Sequence, residues 1–268
     1  MTSMLFYDKI VPLNRDRHRK LRVRTAQDKA RYAAATHYVP IAGTEFHQAA
    51  RDYAVLFAGG EGEGGPIALL GMREGENLFV EDDGGWAAGS YVPAFVRRYP
   101  FILARGDGGN FTVCIDEQFS GFGETEGDLL FDDDGKDTAY LARTVEFLNR
   151  FAAEMERTQA FVRRLTELEL LVTRNLRITD GKGRNFLLND FRIVDESRLG
   201  SLDDATLGEL HRQGWLGWIY AHLISLGNVN RLPARIGNDV GAESAADSAF
   251  EQPGAESAAD IEEDGVRH

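Results

Sequence analysis

Between residues 137 and 171 the chain contains neither glycine nor proline, although glycine-rich turns crowd the sequence just before it. Within that stretch Leu141, Val145, Leu148, Met155, Val162 and Leu165 recur at three-, four- and seven-residue spacing, the mark of an amphipathic helix. Unbroken, such a helix would be on the order of 50 Å long. That exceeds the width of a sheet it would cover, so it is expected to overhang or bend.

The first half has a different rhythm. From residue 53 to residue 116, the short β-rich runs YAVLFA, PIALLGM, NLFVE, FILAR and FTVCID alternate with glycine-rich or polar turns. These runs read as strands of one antiparallel sheet, because loops this short favour hairpins over crossovers. One segment breaks the pattern: in YVPAFVRRYP, Pro93 suits the first turn of a short helix and Pro100 ends it. A second short helix is expected at 44–51. The two halves together predict an α+β fold, with an antiparallel sheet in the N-terminal half packed with a long helix and C-terminal helices.

After the long helix, LRIT and NFLL flank Asp180-Gly181-Lys182-Gly183, a hairpin signal. Asp203 or Asp204 can then cap a helix that runs to His211 or Arg212 and stops at Gly214. The following WLGWIYAHLISLGNVNRL carries Leu216, Ile219, Leu223 and Leu226 on one helical face.

Composition narrows the function classes. The formal charge is −13, but residues 238–268 hold nine carboxylates against a single Arg267, leaving 34 acidic and 29 basic residues before them. The body is therefore nearly balanced, and the acidity belongs to a terminal stretch that repeats GAESAAD at 241–247 and 254–260. With almost no large apolar side chains, that stretch is expected to be a disordered tail following one folded domain of residues 1–237. Cys114 is the only cysteine, which excludes an intrachain disulfide and a multi-cysteine zinc site. No signal-peptide core or membrane-length apolar run is found, so a cytoplasmic location is expected.

The familiar motifs fail on context. Gly60, Gly62 and Gly65 satisfy G-x-G-x-x-G, yet a strand follows where a phosphate cradle needs a helix N-terminus. Aligning Gly135 with the glycine of a calcium loop puts Leu130 and Leu141 at the first and last ligand positions. Cys114 lies in a strand beside Asp116 and Glu117, the wrong polarity for an activated thiolate. Ser120 lacks the glycine two positions earlier that a nucleophile elbow requires. The run Arg15, Arg17, Arg19, Lys20, Arg22 and Arg24 has no interleaved aromatics for stacking, so it reads as a solvated arm, open to pairing with the chain's own acids, and not as a nucleic-acid site. No cofactor and no metal are expected.

Two groups remain as candidate binding residues. Arg97, Arg98 and Tyr99 of the short helix, with Asp116 or Glu117 of the neighbouring strand, could line a pocket where helix meets sheet. Trp215, Trp218 and His222 lie on a helix rich in aromatic contact area, where core packing competes with a partner surface.

The segments MLFYDKIVPLNRDRHRKLRV, VPIAGTEFHQAARDYAVLFAG, YVPAFVRRYPFILA, FRIVDESRL and ELHRQGWLGWIYAHLISLGNVNRL, in this order, resemble the SapC family of bacterial proteins over about residues 4–232. The resemblance implies an accessory or binding protein of surface-layer or cell-envelope processes, working through protein or peptide contacts. It brings no catalytic residues with it. The alternative is an enzyme or enzyme component whose site is assembled from scattered polar residues.

Removing residues 238–268 takes no expected core residue away. The truncated chain should melt within a degree or two of the full chain in a thermal scan, on the order of what surface changes cost; a large drop would show that the tail is folded.

Overall fold

The computed structural model describes residues 5–24, 29–59, 64–105, 111–179, 182–236 and 250–251. In chain order its strands are β1 (Ile10–Pro12), β2 (Arg22–Val23), β3 (Tyr38–Pro40), β4 (Val55–Ala58), β5 (Gly65–Leu69), β6 (Phe101–Arg105), β7 (Phe111–Asp116), β8 (Phe122–Gly123), β9 (Asp128–Leu129), β10 (Leu171–Thr179), β11 (Asn185–Val194) and β12 (Phe250–Glu251). The helices are α1 (Phe46–Ala49), α2 (Ala94–Arg97), α3 (Ala139–Glu167), α4 (Glu196–Gly200), α5 (Asp204–Arg212) and α6 (Trp215–Ser225). The fold is α+β, as the sequence predicts.

The expected single sheet is divided. β4 and β5 form a hairpin inside a six-stranded antiparallel sheet ordered β12-β10-β11-β4-β5-β3, whereas β6 and β7 pair in a separate sheet ordered β1-β7-β6. A third set, β8-β2-β9, is made of two-residue strands. β4 and β5 are almost wholly buried, which explains why their sequence is apolar at successive positions instead of alternating.

The run NLFVE is not a strand; only Val80 bridges, to Trp86. The cause is Asn77, whose Oδ1 accepts the N–H of Phe79 at 2.9 Å and whose Nδ2 donates to the carbonyl of Ala33 at 3.0 Å. An asparagine that captures its own backbone offers the chain a turn in place of a ladder. The tail expected over 238–268 lies outside the described residues, except that the backbone of Phe250 and Glu251 pairs with Leu176 and Asn175 of β10. Gly60, Gly62, Asp180 and Gly181 also lie outside them.

The basic N-terminal run is not a free arm. β1 pairs with β7, setting Ile10 opposite Asp116 and Pro12 opposite Cys114. Beyond it, Arg17 and Lys9 meet Glu117, Arg15 meets Asp137, and the Arg19 guanidinium donates to the carbonyl of Asp133. The arginines are thus spent on the chain's own acids and carbonyls.

The glycine- and proline-free stretch forms one continuous helix of 29 residues, α3. Thr138 opens it, its Oγ1 accepting the N–H of Leu141. At the far end Glu169 adopts φ +54°, and the N–H of Leu170 reaches back to the carbonyl of Leu165 at 2.9 Å. That six-to-one closure is a helix stop usually marked by glycine. The length is explained by what α3 packs on. Leu141 and Leu148 join Phe101, Ile115 and Leu130 in one core, while Phe161, Val162 and Leu165 join Phe46, Phe57 and Leu70 in another. At about 1.5 Å per residue the helix reaches across both.

α5 and α6 follow their predicted caps: Asp203 accepts the N–H of Thr206, and Gly214 at φ +74° turns the chain between the helices. Of the apolar face Leu216, Ile219, Leu223 and Leu226, only Ile219 is fully buried. Trp215, Trp218, Ile219, His222 and Ser225 point inward, and Leu216, Leu223 and Leu226 are only partly buried. Trp218 packs edge-on to Phe161 at 5.3 Å and tilted against Phe46 at 6.1 Å. Gly43 permits this approach. A Cβ there would lie 2.2 Å from Trp218 Cε3, and the Gly43 N–H is already held by Thr158 Oγ1 of α3 at 2.8 Å. Among the described residues no helix is long and apolar enough to cross a membrane.

Gly43→Ala therefore forces an indole ring out of a filled core without changing backbone preference. It should destabilise the chain by about 2 kcal/mol in urea unfolding; an unchanged midpoint would mean that the contact is not tight.

Candidate functional site

The first candidate group does not form a pocket. Asp116 is fully buried, and its carboxylate accepts the backbone N–H groups of Asp8 and Lys9 at 2.9 Å each and of Gln118 at 3.2 Å. Tyr99 donates to the same carboxylate at 3.1 Å, and burial followed by the Asp116 charge raises the phenol well above its ordinary pKa. Asp116 thus fastens the N-terminal segment to β7. Glu117 is held by Lys9 at 2.6 Å and by Arg17.

Arg97 and Arg98 diverge. The Arg97 Nε donates to the carbonyl of Val92 at 3.0 Å, and its guanidinium lies over the rings of Phe147 and Tyr91. It borders a shallow recess of about 290 Å³ with Tyr140, Arg143 and Phe147. Arg98 turns the other way, 4.0 Å from the Phe95 ring centroid, where burial lowers its pKa. The expectation of a pocket at this helix–sheet junction is therefore corrected: the polar groups were real, but backbone amides, ion pairs and ring faces consume them. Cys114 is buried beside them, and burial pushes its thiol pKa up, away from nucleophilic character. A related carboxylate, Glu45, missed in the sequence, is also structural. It accepts the N–H groups of Ala42 at 2.9 Å and Ala94 at 2.7 Å and the Tyr91 hydroxyl at 2.8 Å. Burial and Glu45 push the Tyr91 phenol up to about 12.

In the second group, both tryptophans are buried, so core packing prevails over the partner surface weighed for them. His222 is buried completely and sits between two strands. β4 and β11 pair by register only at Arg192 opposite Phe57. Where they part, one His222 ring spans the gap, with Nδ1 at 2.7 Å from the Val55 carbonyl and Nε2 at 3.0 Å from the Val194 N–H. A carbonyl can only accept and an amide N–H can only donate, so the proton resides on Nδ1 and the ring is neutral. Ser225 completes the seam, accepting the Val55 N–H at 2.9 Å and donating to the His222 carbonyl at 2.6 Å. Burial drives the His222 pKa down to about 4.

With that side of α6 committed, its opposite side faces outward. At 100° per residue Gly217, Tyr220 and Ile224 lie roughly half a turn from Trp218 and His222. Tyr220 is 49% exposed and Ile224 is 74% exposed. Between α6 and α1 runs a groove of about 540 Å³, lined by the small or apolar Ala50, Ala221, Ile224 and Gly227 and by the polar His47, Arg51, Asn228 and Arg231. Asn228 fixes one end by donating to the carbonyls of Ala50 at 2.7 Å and Tyr53 at 3.0 Å. The lining holds no carboxylate, and neither Arg51 nor Arg231 makes an ion pair among the described residues. Chemically, the groove offers apolar surface plus guanidinium donors, which suits recognition. Its sequence signal was Ile224, an apolar residue on the side of the helix away from the tryptophans.

A cleft of about 590 Å³ lies between β11 and the β3–β5 side of the sheet, lined by His37, Arg73, Glu74 and Asp190 among others. Among the described residues no three His, Cys, Asp or Glu side chains gather as a metal site would require.

A family model described as SapC matches residues 13–232. No curated protein matches, and no solved structure matches.

The His222 geometry has a pH consequence. The folded pKa lies below the ordinary value, so protons bind the unfolded chain more readily. The resulting stability is complete above about pH 6.5 and is lost as the pH falls toward 4, on the order of 3 kcal/mol in all. His222→Gln keeps a donor and an acceptor but does not titrate. Urea midpoints from pH 7 to pH 4 should fall more steeply for the parent chain than for this variant; parallel profiles would rule the linkage out.

Proposed function

We propose that this chain, which belongs to the SapC family, is a non-enzymatic accessory protein of bacterial surface-layer or cell-envelope processes, working through protein or peptide contacts. The reading places the chain in the cytoplasm, in keeping with a single, buried cysteine. The observation that carries it is the α1–α6 groove, where Ile224 is left in solvent beside the exposed Arg51 and Arg231, which make no ion pair among the described residues. Apolar surface beside arginine is the make-up of contact surfaces. Supporting it, the acid–base groups offered by the sequence are committed elsewhere. Asp116 binds backbone amides, Glu117 binds Lys9 and Arg17, and His222 joins two strands.

The test is affinity capture from the native cell followed by mass spectrometry, with the parent chain and Ile224→Asp compared. Ile224 is mostly in solvent, so the substitution should leave the melting temperature unchanged. A specific protein recovered by the parent and lost from the variant is expected. Equal recovery by both would remove the groove as the contact surface, and no specific recovery by either would count against the binding role.

A further inference from the structure

We infer that the α1–α6 groove recognises an acidic segment of a partner protein, one that seats an apolar side chain on Ile224 and presents carboxylates to Arg51 and Arg231. This rests on the binding role proposed above and adds the chemistry of the partner.

The charge distribution is the first argument. Several of the chain's cations are held by its own acids: Lys9 and Arg17 by Glu117, Lys29 by Asp83, Arg73 by Glu76 and Arg164 by Glu209. Arg51 and Arg231 are exposed together at one groove that has no carboxylate in its lining, and neither makes an ion pair among the described residues. A cationic segment would find nothing there to pair with. A carboxylate would find two forked donors, and guanidinium–carboxylate pairs are the stronger, directional kind of hydrogen bond.

Shape and lining supply the second argument. The volume, about 540 Å³, lies within the size range of recognition pockets, and the small Ala50, Ala221 and Gly227 beside Ile224 leave room for a branched apolar side chain. The partner therefore needs both features, an apolar anchor and flanking acids.

Range distinguishes a peptide from a larger polyanion. Charges separated by more than about 8 Å are screened at physiological salt, so a short segment feels the local guanidinium groups and not the distant acids. An anionic bilayer or a nucleic acid calls for a basic surface wider than the two guanidinium groups and one imidazole that line this groove.

The experiment uses the full chain and fluorescein-labelled synthetic peptides followed by anisotropy. One peptide carries two leucines flanked by glutamates, a second has lysine at each glutamate, and a third has serine at each leucine. The first should bind, and both others should bind at least about tenfold more weakly, the equivalent of roughly 1.4 kcal/mol. Charge reversal by Arg51→Glu with Arg231→Glu should weaken the glutamate peptide and strengthen the lysine one, which a merely damaged groove would not do. Vesicles of phosphatidylglycerol should show no binding that depends on Ile224. Equal binding of the glutamate and lysine peptides, binding of none of them, Ile224-dependent vesicle binding, or self-association abolished by Ile224→Asp would each overturn the acidic-segment inference. Capture that still depends on Ile224 would meanwhile leave the binding role standing.

Discussion

One helix is shared by two hydrophobic cores, and the rest of the chain is arranged around that constraint. The N-terminal turns of α3 supply Leu141 and Leu148 to the core under β6 and β7, and its later turns supply Phe161, Val162 and Leu165 to the core under β4 and β5. Neither sheet alone covers the apolar stripe of a helix this long. Because the stripe runs unbroken from one core to the other, the β1-β7-β6 sheet and the six-stranded sheet are held by a common element. Thr158, midway along the inward face, adds a polar tie by accepting the N–H of Gly43.

Packing on α3 then decides what α6 can offer. Trp215 and Trp218 both contact Phe161, at ring separations of 6.0 and 5.3 Å, so the aromatic side of α6 is drawn onto α3 and the sheet. Tyr220 and Ile224 remain on the outside with Arg51 and Arg231. The groove is thus a by-product of core formation with a separate chemical character. Ile224 stays mostly in solvent there, and no carboxylate lines the groove beside its two arginines.

The elements legible in the sequence are those specified by local chemistry. The absence of glycine and proline over α3, the Asp203 cap, the Gly214 turn and the hairpins of β4–β5 and β6–β7 depend on neighbours in the chain. What escaped the sequence depends on distant partners. β1 becomes a strand because β7 offers it an edge, and Asn77 turns the chain partly because the Ala33 carbonyl receives its amide. The sequence left the buried side of α6 open for another reason: WLGWIYAHLIS is apolar nearly all round, so periodicity alone could not choose between its sides. Arg97, Arg98, Tyr99, Asp116 and Glu117 were correctly seen as chemically capable residues close in sequence or strand. Their side-chain directions, which disperse them, are set by tertiary contacts.

The imidazole between Val55 and Val194 has a mechanical meaning. By taking the place of a rung that main chain would otherwise fill, His222 makes α6 a participant in the sheet's own ladder. Rotation of the helix by a single residue, about 100°, would withdraw both ring nitrogens and leave two buried backbone groups bare. The helix is therefore keyed like a bolt in a slot. Its outward surface is presented at one angle only, and a ligand arriving there meets a rigid jaw whose alignment is set from the far side of the helix.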